Sequence, residues 1–175
     1  MKKISYLLFL IAMAWSTQSN AQGSNEAIVK EWQRAKLYTK EYLDAMPEAS
    51  YGYKPTPEMR SFSGQMLHLS DAINGIIAAA TNETSPTGMG ELEKSNDTNK
   101  ESVSKKVLAA YDFAIASITK LPKEKLTENV KLFGRFEVTR GLAIDKCFEH
   151  QTHHRGQTIV YIRLAGATPP GEKLF

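Results

Sequence analysis

The chain has 175 residues, of which 42% are hydrophobic, and its formal net charge is +3. This length suits one domain with one core, and the near balance of 22 basic and 19 acidic residues argues against electrostatic binding of nucleic acid. The single cysteine, Cys147, excludes an internal disulfide, so packing must stabilise the fold.

Residues 1–21 are predicted to be a secretory leader. Two lysines precede an apolar run over 4–15, and Ser19-Asn20-Ala21 places small residues where a signal peptidase cleaves. The run is short for a transmembrane helix, so we expect a cleaved leader rather than an uncleaved anchor. The protein would then be exported, periplasmic or secreted, without a stable membrane anchor. Its domain would span 22–175, and loss of the two lysines would reduce the charge of +3 to +1.

Apolar residues recur at helical spacing in four stretches of the chain. The predicted helices cover 24–46, 61–81, 100–121 and 140–165. Ser61 and Thr139 are suitable N-caps for the second and fourth helices, and Gly166 is a suitable C-cap for the fourth. The second helix is apolar on nearly every side, which predicts that it is largely buried.

Two connections are predicted to differ from simple turns. Residues 82–99 are rich in Asn, Thr, Ser and Gly, which is typical of a surface loop; a lid over a site is the alternative. Residues 130–138 alternate around Gly134, which favours a small hairpin before the last helix. The alternative there is an irregular strap that packs Phe133 and Phe136 onto the helices.

The last predicted helix carries three of the four histidines in the chain. His150 and His154 are four residues apart and therefore share a helix face, an arrangement that can bind one divalent metal. Such pairs are also common on protein surfaces. Cys147 and Gln157 lie on the same face, which is turned toward the core, so these polar groups need partners. His68 in the second helix would supply a third imidazole if the two helices pack side by side.

His68, the segment His150-Gln-Thr-His-His-Arg-Gly-Gln157 and the tail Leu164-Ala-Gly-Ala-Thr-Pro-Pro170 together resemble the DinB family. The resemblance covers nearly the whole chain after the predicted leader. It implies an all-α fold, an antiparallel four-helix bundle, in which His68, His150 and His154 hold a divalent metal ion, often nickel or zinc. Some members are thiol-dependent transferases or isomerases, and the family name does not imply DNA binding.

Several further side chains could act at the site or be structural. Gln157 is the predicted catalytic residue, because it could hydrogen-bond a substrate or a water beside the ion; alternatively it satisfies a backbone group. Cys147 is expected to be a buried inert thiol, with a fourth metal ligand as the alternative. Asp71 could orient an imidazole, act as a base, or simply be solvated. We expect Arg155 to pair with an acid on a neighbouring helix and His153 to lie on the surface.

Two classes of function follow from these features. A divalent ion held by neutral imidazoles can activate water or a thiol, which suits a hydrolase or a thiol-dependent transferase acting on a small molecule of unknown identity. Export weakens the thiol version, because the low-molecular-weight thiols that such relatives use are cytosolic. The second class is a non-catalytic metal-binding or stress-response bundle with a structural ion, which could be a homodimer. No nucleic-acid partner is expected in either class.

Overall fold

The computed structural model describes residues 23–175, and the predicted leader lies outside these residues. The α-helices of the described part are α1 (Gly23–Ala45), α2 (Phe62–Thr81), α3 (Glu91–Lys94), α4 (Lys100–Lys120) and α5 (Arg140–Leu164). The four long helices form the predicted bundle, and each begins and ends within one residue of its predicted bounds. The all-α four-helix fold class is therefore confirmed.

Helix α2 is the most deeply buried of the long helices. It packs against α5 on one side and α4 on the other, whereas α1 packs mainly against α4 and less extensively against α5. One aromatic group of the core lies between α1, α4 and α5, where the Trp32 ring is 5.9 Å from that of Tyr111 and 5.5 Å from that of Phe148. Because α2 and α5 are neighbours, the histidines that they carry can meet.

The ends of α2 and α5 are closed by the predicted caps. Ser61 and Thr139 each accept a hydrogen bond from the backbone N–H three residues on, at 3.0 and 3.2 Å, which satisfies a free donor at each N-terminus. Gly166 follows α5 with φ +78°. This left-handed conformation lets the N–H of Ala167 return to the Ile162 carbonyl at 3.0 Å, so α5 ends there.

The predicted hairpin before α5 is present. Strand β1 (Asn129–Leu132) pairs antiparallel with β2 (Phe136–Thr139). Phe133 and Gly134 turn the chain with φ +53° and +71°. The alternative strap is wrong, because Phe133 is 59% exposed and Phe136 is 49% exposed, so neither ring is packed into the core.

The connection between α2 and α4 holds more structure than its composition predicts. Within the predicted loop over 82–99, residues Glu91–Lys94 form the single helical turn α3. Asp71 on α2 accepts the backbone N–H of Leu92 at 3.2 Å and that of Glu93 at 2.9 Å, which fixes the turn against the bundle. Within residues 23–175, no helix combines the length and hydropathy needed to cross a lipid bilayer.

Candidate metal centre

The imidazoles of His68, His150 and His154 meet between α2 and α5. Their ring centroids lie 5.3 Å apart for His68 and His150, 4.5 Å for His68 and His154, and 4.4 Å for His150 and His154. One ring nitrogen from each residue lies within 4.8 Å of the other two, so the group could hold a metal ion. The predicted convergence of the three histidines is thus confirmed, while metal binding itself stays a prediction.

The surroundings of two of these histidines favour neutral rings. Burial, together with the smaller effect of the neighbouring imidazoles, lowers the pKa of His150 to about 4 and that of His154 to about 3. At neutral pH both rings therefore keep a free lone pair, which a metal ligand requires. His150 Nδ1 is also buried without a hydrogen-bond partner in the described part of the chain. A buried nitrogen in this condition fits a site that is completed by a further group.

Glu93 on α3 holds the ring of His68. Its carboxylate lies 2.7 Å from His68 Nδ1 and also accepts a hydrogen bond from Arg60 Nε at 2.6 Å. Burial acts in the opposite direction, but these two partners lower the pKa of Glu93 and keep it ionised. With Nδ1 engaged, His68 has Nε2 left for another partner, the arrangement that carboxylates commonly impose on metal-binding histidines.

Asp71 acts on the same histidine indirectly. Neither direct orientation of an imidazole nor simple solvation, two of the roles predicted for it, describes its contacts, because its two oxygens accept the backbone N–H groups of Leu92 and Glu93. Asp71 thereby places α3, and α3 places the carboxylate against His68. No sequence pattern indicates the role of Glu93, since it lies 25 residues from His68 in a polar connection.

Gln65 plays the matching part for His154. Its Oε1 lies 2.8 Å from His154 Nδ1, and its amide nitrogen donates to Gln157 Oε1 at 2.8 Å and to the Tyr161 hydroxyl at 3.2 Å. Tyr161 is buried, as predicted, and its hydroxyl donates to the backbone carbonyl of Arg60 at 2.9 Å. The role of Gln65 was not predictable, because one glutamine on a nearly apolar helix has no distinctive spacing.

Gln157, the predicted catalytic residue, is engaged on both sides of its amide. Its oxygen accepts the bond from Gln65, and its Nε2 lies 2.7 Å from His153 Nε2. His153 is exposed, as expected, and its ring is 5.0 Å from that of His154. Gln157 thus links the exposed histidine to the clustered ones, and its contact with a substrate stays a prediction.

Cys147 matches the interpretation as a buried inert thiol. Its sulfur lies 3.9 Å from the Ala72 carbonyl, and burial raises the thiol pKa far above its ordinary value. The group of potential ligands found within residues 23–175 contains the three histidines and not this cysteine. The geometry therefore gives no support to the alternative of a fourth, thiolate ligand.

The prediction that Arg155 pairs with an acid on a neighbouring helix is wrong. The Arg155 side chain is buried and its Nη1 donates to Gln151 Oε1 at 3.0 Å and to Thr39 Oγ1 at 3.5 Å. Its guanidinium carbon lies 4.6 Å from the centre of the Tyr38 ring. Aromatic and amide groups replace the carboxylate because the buried faces of α1 and α4 at this level carry tyrosines rather than acids.

Comparison with known proteins agrees with this fold. The model of the DinB family matches residues 17–174. The uncharacterised protein YjoA of Bacillus subtilis (strain 168) is 24% identical over 144 residues, which cover 81% of this chain and 90% of that protein.

Two solved structures resemble the bundle. A DinB-like protein from Bacillus cereus ATCC 10987 has a TM-score of 0.72 at 23% identity, covering 85% of this chain and 97% of that one. The DinB-like protein YjoA from Bacillus subtilis has a TM-score of 0.65 at 22% identity, covering 83% and 96%. These likenesses establish the shared fold, and together with the family match they show that the chain belongs to the DinB family.

Proposed function

We propose that this protein is a metal-dependent enzyme whose divalent ion is held by His68, His150 and His154. The observation that carries the proposal is the meeting of three imidazole nitrogens within 4.8 Å, from two helices that the fold packs together. Imidazole donors suit nickel and zinc, the two metals that we expect. Three protein ligands leave a divalent ion open positions for a substrate, as in catalytic zinc sites.

The chain supplies the orientation of the ligands. Glu93 and Gln65 engage Nδ1 of His68 and of His154, so each ring presents its Nε2 in a fixed direction. The His68 side chain is 26% exposed, which leaves access for a small molecule. A divalent ion in this position would supply Lewis acidity and lower the pKa of water or a thiol.

The proposed reaction class is hydrolysis or thiol transfer. The carboxylate in contact with the cluster, Glu93, is committed to His68 and Arg60 and is therefore a poor general base. Gln157 is the proposed substrate-positioning residue, since it lies one hydrogen bond from Gln65 and two from His154. Export of the protein, which is also a proposal, would favour hydrolysis.

A direct test begins with the metal content of protein purified without a histidine tag. The expected result is about one equivalent of nickel or zinc in the unaltered protein and a strong loss in His154→Ala. His153→Ala is the matched control, because His153 is the exposed neighbour outside the cluster. Equal metal content in His154→Ala and His153→Ala would contradict the metal site.

Catalysis needs its own assay. Loaded protein would be offered activated 4-nitrophenyl esters, and separately an electrophile such as 1-chloro-2,4-dinitrobenzene with a series of thiols. Turnover that disappears in His154→Ala and persists in His153→Ala supports the enzyme. The absence of turnover with a fully loaded ion would favour the second candidate.

That second candidate is a bundle with a structural ion. It is favoured by the engagement of both amide atoms of Gln157 and of the Glu93 carboxylate, which leaves few free groups to handle a substrate. A structural ion predicts a closed coordination sphere and a large fall in melting temperature on chelation. X-ray absorption spectroscopy of the loaded protein distinguishes the two, because an exchangeable water adds an oxygen ligand.

A further inference from the structure

A cavity of about 830 Å³ lies between α1 and α5, beneath the C-terminal segment 167–174. This volume is in the range of sites for small organic ligands. None of the three clustered histidines lines it. The reason is the helical spacing of α5, which turns His154 toward Gln65 on α2 and the next residue, Arg155, toward Tyr38 on α1.

Arg155 is a buried cation at the wall of this cavity. Only 5% of the residue is exposed, and its Nη1 donates to the side-chain oxygens of Gln151 and Thr39. Both acceptors are neutral, and among residues 23–175 no carboxylate forms an ion pair with the Arg155 guanidinium. Stacking on the Tyr38 ring offsets part of the cost of burying the charge, but a cation without a counter-ion still favours an anionic partner.

A second arginine lines the same cavity. Arg163 lies two helical turns beyond Arg155 on α5 and, within the described residues, has no ion-pair partner. Arg155, Arg163 and Tyr42 all line this cavity. Arg34 differs, because Glu31 and the Lys173 carbonyl already occupy its donors. The exposed Glu172 also lines the cavity at its rim.

The rest of the wall is largely apolar. It is formed by side chains from α5 and from the C-terminal segment, among them Phe148, Ile159, Pro169 and Pro170. An apolar wall with two unpaired arginines fits a ligand that combines one negative charge with a hydrocarbon body. A metal ion or a sugar would leave these two features unused.

We propose that this cavity is a binding site for a small amphipathic carboxylate. The carboxylate accepts hydrogen bonds from Arg155 and Arg163, and its aliphatic or aromatic body packs against the apolar wall. The site is separate from the histidine cluster and does not depend on the function proposed above.

The test uses the fluorescent anion 8-anilinonaphthalene-1-sulfonate, displaced by octanoate, by phenylacetate or by 1-octanol. Octanoate and 1-octanol share the same chain length, so their comparison isolates the charge. We expect octanoate to displace the probe at a concentration about tenfold lower than 1-octanol does, in line with charge-assisted hydrogen bonding. Phenylacetate distinguishes an aromatic from an aliphatic body. Equal displacement by octanoate and 1-octanol would overturn the proposal.

Variants test the two arginines. Arg163→Gln should lower the affinity for octanoate about fivefold to tenfold. The fold should be retained, because the Arg163 side chain is exposed. Arg135→Gln is the matched control, since Arg135 lies on the hairpin against Phe136 and should leave octanoate binding unchanged. Arg155→Gln should weaken binding further, provided that its circular dichroism spectrum is that of the unaltered protein. Unchanged affinity in Arg163→Gln would reject the site.

A last measurement separates the cavity from the histidine cluster, where a carboxylate could also coordinate an ion. Octanoate titrations would be repeated on chelator-treated protein and on His154→Ala. The proposal expects the same affinity in all three samples, because none of the clustered histidines lines the cavity. Binding that vanishes with the metal would place the carboxylate at the other site and overturn the proposal.

Discussion

The carboxylate of Glu93 lies 2.7 Å from Nδ1 of His68, although the two residues belong to different helices. The contact fixes which nitrogen of His68 is left free, and Arg60 holds the same carboxylate from the other side. Glu93 is therefore the residue through which the connection between α2 and α4 reaches the histidine cluster.

Replacement of Glu93 by Gln should weaken metal binding by about tenfold to a hundredfold, as is usual when the carboxylate behind a ligating histidine is lost. The measurement is a competition titration of zinc and nickel against a chromophoric chelator. Glu101→Gln is the control, since Glu101 is exposed at the start of α4. An unaltered affinity in Glu93→Gln would show that His68 does not depend on this contact.

Asp71 should matter to the metal only through Glu93. Asp71→Ala removes the acceptor for two backbone N–H groups of α3 and should reduce metal affinity. In a Glu93→Gln background the same change should add little, because the two residues act in series. A double-mutant cycle with the four proteins measures this coupling. Fully additive losses would mean that Asp71 acts on the site by another route.

Gln65→Leu should destabilise the fold and weaken the metal site together. The change leaves the Tyr161 hydroxyl and Gln157 without a buried donor and frees the His154 ring, at a cost of about 2 kcal/mol in the free energy of unfolding. Gln157→Leu breaks only one of these links and should cost less. Urea denaturation and chelator competition test both variants. If Gln157→Leu weakened metal binding more than Gln65→Leu does, Gln65 would not be the residue that links Gln157 to His154.

Cys147→Ala should keep the metal and lose only modest stability, about 1 kcal/mol, since the sulfur fills core volume. Burial raises the thiol pKa, so the native cysteine should react with Ellman's reagent only as fast as the protein unfolds. Metal analysis and labelling kinetics provide the two readouts. Loss of the ion in Cys147→Ala would instead support the alternative in which the Cys147 thiolate is a metal ligand.

Asp97 should stabilise the fold by an amount that decreases at acidic pH. Hydrogen bonds from Lys106, Ser102 and the Asn99 backbone, with Lys106 the strongest cause, lower its pKa from 3.8 to about 2. The stabilisation is therefore fully present above pH 3.8 and is lost as the pH falls toward about 2.

Asp97→Asn should accordingly cost about 1 kcal/mol at neutral pH, and the difference from the unaltered protein should disappear near pH 2. Urea denaturation across this range measures it. Asp112→Asn is the control, because Asp112 forms an exposed ion pair with Lys36 that should contribute little. A difference that persists unchanged to pH 2 would contradict the linkage.

The helices and their caps could be predicted because the deciding interactions are local. Ser61 and Thr139 act on N–H groups three residues away, and Gly166 supplies its own backbone conformation. His150 and His154 were predictable for the same reason, since four residues make about one turn. The predicted meeting with His68 relied on the family resemblance and on the packing of α2 against α5.

The rest of the site could not be predicted because it rests on long-range contacts. Glu93 and Gln65 find their histidines across 25 and 89 residues of sequence, and neither lies in a recognisable pattern. Arg155 shows the same limit, because the sequence indicates a buried charge but not whether a carboxylate or a tyrosine ring will face it. The side chains that support the cluster depend on how two helices are rotated, which only the folded chain determines.

The rotation of α5 has one further consequence. His154 and Arg155 are joined by a single peptide bond, yet one points to α2 and the other to α1. A rotation of α5 about its own axis would therefore move His154 relative to α2 and Arg155 relative to α1 at the same time. The environment of the Tyr38 ring would therefore report a rotation of α5 that disturbs the histidine cluster, without an added label.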